Sequence, residues 1–113
     1  MYEYKVKEIV KIYDGDTITV MLDLGFNITK VEIIRLAYLD APEIRGEERP
    51  EGLKSRDWIR DRMHKAMEGD GMVVRTFKDR KGKYGRYIGE FFIDGVSVNR
   101  ELVTEGFAVY KTY

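Results

Sequence analysis

A chain of 113 residues, 43% hydrophobic and 35% charged, is long enough to bury one core and too short for two, so a single domain over residues 1–113 is expected. It has no cysteine, which removes disulfides, thiolate zinc sites and cysteine nucleophiles together, and the 20 basic residues balance 20 acidic ones, which argues against a simple polycation. No apolar run reaches the length of a membrane span, and Met1-Tyr2-Glu3-Tyr4-Lys5 opens a strand pattern in place of a signal peptide, so no membrane partner is expected; the sequence leaves the compartment open, with an intracellular setting favoured.

In chain order, Tyr4, Val6, Val10 and Ile12 alternate with Lys5, Lys7 and Lys11, which is strand periodicity, and Glu8-Ile9 breaks it as a bulge would. Asp14-Gly15-Asp16 supplies a turn, and Ile18, Val20 and Leu22 carry a second strand that completes a hairpin. After a turn at residues 25–27, a third strand is expected from Lys30 to Leu39. It is apolar on both parities, Ile34, Leu36 and Tyr38 on one side and Val31, Ile33, Ala37 and Leu39 on the other, as in a barrel strand covered outside by a helix. Arg35 has the second parity and is expected at the outer face or rim. Pro42 ends this strand, because it has no N–H to donate and disfavours helix at Ala41.

Residues 44–52 are polar, hold Gly46, Pro50 and Gly52, and read as a loop. A helix is expected from near Leu53 to Met67, with Ile59, Met63, Ala66 and Met67 inward, Trp58 at the edge, and Arg56, Asp57, Arg60 and Asp61 in solvent; Gly69 ends it. His64 lies on this helix without a cysteine or second histidine and reads as a surface residue. Strands are expected at residues 72–77 and 87–93, separated by a basic loop, with Asp94-Gly95 as a hairpin turn. Asn99 is expected to cap a short helix through Val103, with Gly106 as its stop and an extended segment to Tyr113. The fold class is α+β, mainly β: a five-stranded OB-fold Greek-key barrel with two helices.

The stretch from Arg35 to Glu43 carries an arginine and ends in the acids Asp40 and Glu43. Fully extended, Arg35 and Asp40 would stand roughly 16 Å apart, so strong curvature is needed before they act together. An arginine converging with acids suits phosphate chemistry, because carboxylates hold a cation or deprotonate water while the guanidinium grips phosphate oxygens. Charge is unevenly placed around this stretch. Residues 75–86 hold six basic residues against Asp79, and residues 40–51 hold five acids against two arginines.

Four segments, Asp14-Gly15-Asp16-Thr17, Arg35 through Glu43, Lys83-Tyr84-Gly85-Arg86 and Asn99 to Gly106, together resemble the staphylococcal nuclease family. Its DGDT turn, R-x-x-x-x-D-x-P-E strand exit, YGR loop and N-x-x-L-V-x-x-G helix end occur here in the same order. The resemblance implies a calcium-dependent phosphodiesterase acting on DNA and RNA, single-stranded or frayed, and leaving 3′-phosphate ends. It implies Asp16, Asp40 and the backbone carbonyl of Ala41 as calcium ligands. Glu43 would be the general base or the residue that orients the attacking water, and Arg35 and Arg86 would be the phosphate clamp. Lys83, Tyr84 and Tyr113 would contact substrate. Ala41 stands where the best-known members have threonine, which leaves the backbone oxygen in place. The helix that packs beneath the barrel in longer members has no counterpart in this sequence. Barrels of this family also serve as non-catalytic modules that bind single-stranded nucleic acid or a protein partner; such modules usually lose the acids and arginines that stand here.

Overall fold

Alternating apolar residues shape the barrel described by a computed structural model, which covers residues 2–78 and 87–111. The elements run β1 (Tyr2–Asp14), β2 (Thr17–Asp23), β3 (Thr29–Leu36), β4 (Leu39–Asp40), α1 (Arg49–Glu68), β5 (Val73–Lys78), β6 (Tyr87–Ile93), β7 (Val96–Ser97), α2 (Val98–Thr104) and β8 (Val109–Tyr110). Strands pair in the order β3-β2-β1-β5-β6, and a parallel pairing of β3 with β6 closes the ring at Ile34↔Tyr87, Arg35↔Ile88 and Leu36↔Gly89. This is a five-stranded closed barrel with two helices, mainly strand, and agrees with an OB fold. Val6, Ile18, Val20, Ile34, Leu36, Val74 and Phe91 fill its interior, and Ile59 and Met63 of α1 and Leu102 of α2 join the same core.

β1 winds further than its sequence pattern indicates. Its register with β2 shifts at three places, between Val6 and Glu8, Ile9 and Lys11, and Ile12 and Asp14. Each bulge increases the twist and turns a residue out of the alternation. Val10, expected inside, is therefore exposed. The hairpin turn at Asp94-Gly95 has positive φ at both residues, 50° and 78°, the geometry that two-residue hairpins favour.

Three further expectations are corrected. The third strand does not run to Leu39: it stops at Leu36, turns through Ala37 and Tyr38, and resumes as β4. The turn resets the parity, so Tyr38 faces solvent while Leu39 is buried, and among the described residues no helix covers the outer face at Val31 and Ile33, which are exposed. α1 begins at Arg49 and a 3₁₀ turn spans Gly46–Glu48, so the region read as loop is already largely helical. Pro50 lies in the first turn of α1, where a missing N–H costs nothing.

Asn99 is not a helix cap. Ser97 caps α2, its Oγ accepting from the Arg100 N–H at 3.2 Å. Asn99 is buried instead, donating from Nδ2 to the carbonyls of Gly89 (3.0 Å) and Ala37 (3.2 Å) and accepting the Phe91 N–H at 3.1 Å. It ties β6 to the turn that follows β3.

Candidate functional site

The turn after β3 solves the distance problem posed by Arg35 and Asp40. Tyr38 adopts φ of +68°, a left-handed conformation that costs a non-glycine residue about 1 kcal/mol or more. The surroundings hold it there: Ala37 N–H donates to Gly89 O at 2.8 Å, Lys111 N–H donates to Tyr38 O at 2.7 Å, and β4 pairs with β8 through Leu39↔Tyr110 and Asp40↔Val109. The chain doubles back, and Arg35 Nη2 reaches Asp40 Oδ1 directly. A sharp kink at Tyr38 supplies the strong curvature expected from sequence.

Asp16 arrives by sheet register. Thr17 lies opposite Arg35 in the β2–β3 ladder, and the Leu36 N–H donates to the Asp16 carbonyl at 2.8 Å. The Asp16 carboxylate is nearly buried. Its Oδ2 accepts the Ala41 N–H at 2.9 Å and lies 3.4 Å from Arg35 Nη1, and its Oδ1 accepts the Thr17 hydroxyl at 3.1 Å. Two carboxylates from separate turns thus converge on one guanidinium, which also donates to Leu36 O at 3.1 Å. The second oxygen of Asp40 lies 3.0 Å from Lys111 Nζ.

Asp14 serves the turn, its Oδ1 accepting the Asp16 N–H at 3.0 Å. Burial, reinforced by the hydrogen bond and negative charge of Asp16, pushes its carboxyl up to about 7. Glu43 stands apart from the cluster. Its side chain is 64% exposed, with Oε2 3.9 Å from Arg45 Nε, and its backbone N–H donates to Glu48 Oε2 at 3.4 Å.

The first turns of α1 pack closely against the Gly15 turn and the Glu43 backbone. A Cβ on Gly52 would lie 2.0 Å from the Glu43 carbonyl oxygen, and one on Gly15 would lie 2.0 Å from Ser55 Oγ and 2.8 Å from Ala41 Cβ. The helix therefore seats only because small residues face the turns. Ser55 Oγ is buried there without a hydrogen-bond partner among the described residues. Ser55→Ala is accordingly expected to keep or raise stability, by about 1 kcal/mol, since it removes an unsatisfied hydroxyl. The urea midpoint measures this, and a loss of about 1 kcal/mol would mean that the hydroxyl has a partner.

As a donor set for calcium, Asp16 and Asp40 are right in kind, since the ion prefers hard oxygens. No group of three or more acidic, histidine or cysteine side chains gathers for a metal among the described residues. A cation here would draw on the two carboxylates, main-chain oxygen and water, and would share the carboxylates with Arg35 and Lys111. Of the expected substrate and clamp residues, Lys83, Tyr84, Arg86 and Tyr113 lie outside the described residues.

Lys111 and Asn99 are the residues whose roles sequence reasoning missed. Lys111 reaches the site through strand pairing that no local pattern announces. Asn99 carried a signal, as the first residue of the N-x-x-L-V-x-x-G segment, but its burial depends on where α2 docks. The sequence profile of a family described as staphylococcal nuclease homologue matches residues 33–113, taking in Arg35, Asp40 and Glu43 and leaving the Asp14–Thr17 turn outside. No curated protein sequence matches the chain.

Proposed function

Because the chain belongs to the staphylococcal nuclease homologue family, a group tied to nuclease-related or nucleic-acid-binding functions, we propose that it hydrolyses phosphodiester bonds of DNA and RNA. The reaction is calcium-dependent, shows little sequence preference and leaves 3′-phosphate ends. The observation that carries this reading is the convergence of Asp16 and Asp40 on Arg35, from segments brought together only by the barrel. A structural ion pair needs one acid for one arginine. A second acid, nearly buried and drawn from another strand pair, is an arrangement suited to a phosphate and a cation.

In this reading Asp16, Asp40 and the Ala41 carbonyl would hold calcium, which when bound supplies positive charge against the phosphate oxygens. Arg35 grips a non-bridging oxygen of the scissile phosphate, and Arg86 is assigned the other side. Glu43, exposed and three residues beyond Asp40, is assigned the proton of the attacking water. As water adds to phosphorus, the bond to the 5′ oxygen breaks, that oxygen takes a proton from solvent, and phosphate stays on the 3′ end. Arg35 matters most when negative charge grows on the phosphoryl oxygens. Lys83, Tyr84 and Tyr113 are assigned to substrate binding, and the affinity falls with salt because phosphates dominate the contact.

The exposure of Glu43 and its position beside Arg45 favour a second reading, an OB module that binds single-stranded nucleic acid without cutting it. Incubation of denatured DNA with the protein separates the two. Cleavage is expected with calcium, and a fall of at least about 100-fold with chelator or with Glu43→Ser, the scale of a general base. Equal cleavage under all three conditions rejects the mechanism. Binding without cleavage in calcium establishes the module.

A further inference from the structure

A second groove, about 440 Å3 in volume, opens between β1 and α1 and has no part in the site described above. Lys11 and Tyr13 line it from β1, Arg56, Arg60 and His64 from α1, and Ile44 from the segment between β4 and α1; no aspartate or glutamate among the described residues lines it. In a chain of zero net charge this concentration of cations is not an average property of the surface.

Position gives the groove its meaning. Arg56, Arg60 and His64 are spaced i, i+4, i+8 and so form one stripe along the helix, each step advancing about 6 Å, close to the separation of successive phosphates in an extended strand. Asp57 pairs with Arg56 at 3.3 Å and with Arg60 at 3.7 Å, so it offsets part of the charge without entering the groove. Lys11 faces the stripe from the sheet, its Nζ 5.9 Å from the Tyr13 ring centroid, which leaves an aromatic surface beside a cation. Two of its lining residues adjoin candidate residues along the chain: Tyr13 precedes Asp14, and Ile44 follows Glu43. Residues 52, 56, 60 and 64 trace a continuous row from the Glu43 carbonyl, against which Gly52 packs, to the far end of the groove.

We propose that this groove carries the backbone of a nucleic-acid strand away from the scissile phosphate, with Lys11, Arg56 and Arg60 contacting about two further phosphates. The inference rests on reading the Asp16–Arg35–Asp40 cluster as a nucleic-acid site. It adds a direction to the bound strand and a reason for long strands to be preferred over short ones. Side-chain ammonium and guanidinium groups facing a polyanion supply affinity without sequence preference.

Anisotropy of labelled single strands of about 4 and about 16 nucleotides, the range that one OB barrel covers, tests this in chelator over a series of salt concentrations. For the long strand, K11Q/R60Q is expected to flatten the slope of log K against log salt by about 1.4, at about 0.7 for each phosphate left without its cation, with little change for the short one. Arg75→Gln is the control for general charge, because Arg75 pairs with Glu3 at 3.0 Å on β5 and does not line the groove. A wild-type slope in K11Q/R60Q, or equal flattening per charge in Arg75→Gln, overturns the groove while leaving the site reading intact. Failure of the wild-type protein to bind the long strand likewise overturns the groove, while the cleavage assay in calcium decides the site reading.

Discussion

Asn99→Ala is expected to lower stability by about 3 kcal/mol, one of the two largest effects of a single substitution in this chain. The change removes a buried amide that makes three hydrogen bonds, to Phe91 N–H, Gly89 O and Ala37 O. Alanine offers no replacement, so a buried N–H and the Ala37 carbonyl lose their partner, and each orphaned group costs about 1–3 kcal/mol. The Gly89 carbonyl keeps its bond from the Ala37 N–H, which is why the full sum is not expected. Urea unfolding followed by far-ultraviolet circular dichroism measures the loss. A change below about 1 kcal/mol would show that water replaces the amide and that Asn99 does not hold the turn. The effect should reach the site, because Ala37 lies between Arg35 and Asp40 in the segment that folds back.

The second large effect concerns Gly52, where the sign is the test. In an ordinary helix interior, Gly→Ala stabilises by about 1 kcal/mol, since alanine loses less backbone entropy. At position 52 the added methyl would sit 2.0 Å from the Glu43 carbonyl oxygen and 2.4 Å from its carbon, both backbone atoms. Either α1 or the Pro42–Ile44 segment must move. Gly52→Ala is therefore expected to destabilise by about 2 kcal/mol net, the scale of overpacking. Under the proposed mechanism it also slows cleavage by about 100-fold, since displacement of a positioned group by about 1 Å costs that much. A rise in melting temperature would contradict the close packing. Unchanged cleavage with lowered stability would separate Glu43 from the chemistry.

These residues mark how far the sequence could be read. Five strands, two helices and their order were legible because apolar spacing, Asp-Gly turns and the Pro42 stop are local signals acting over a few residues. Asp16, Arg35, Asp40 and Glu43 were legible as candidates because their residue types and motif order point to phosphate and cation chemistry. Misreadings arose where a tertiary partner overrides the local rule. Val10 lies outside because the register shift between Ile9 and Lys11 leaves it as the extra, unpaired residue of β1. Gly46, Pro50 and Gly52 looked like loop composition, yet Pro50 starts a helix and Gly52 is the contact that lets that helix approach Glu43. Asn99 looked like a cap because asparagine favours that position, but burial between β6 and the Ala37 turn gives it three better partners.

The sequence by itself determined the barrel class, the turn chemistry and the set of acids and arginines, because each depends on residue type and short-range spacing. Only the tertiary structure decided that Asp16 and Asp40 share Arg35. That meeting depends on the Thr17↔Arg35 register, on the left-handed kink at Tyr38, and on β8, which pins the kink and brings Lys111 to Asp40. The reason is physical: a strand alone would hold Arg35 and Asp40 apart, and the strained turn that joins them persists because neighbours distant in sequence hold it in place.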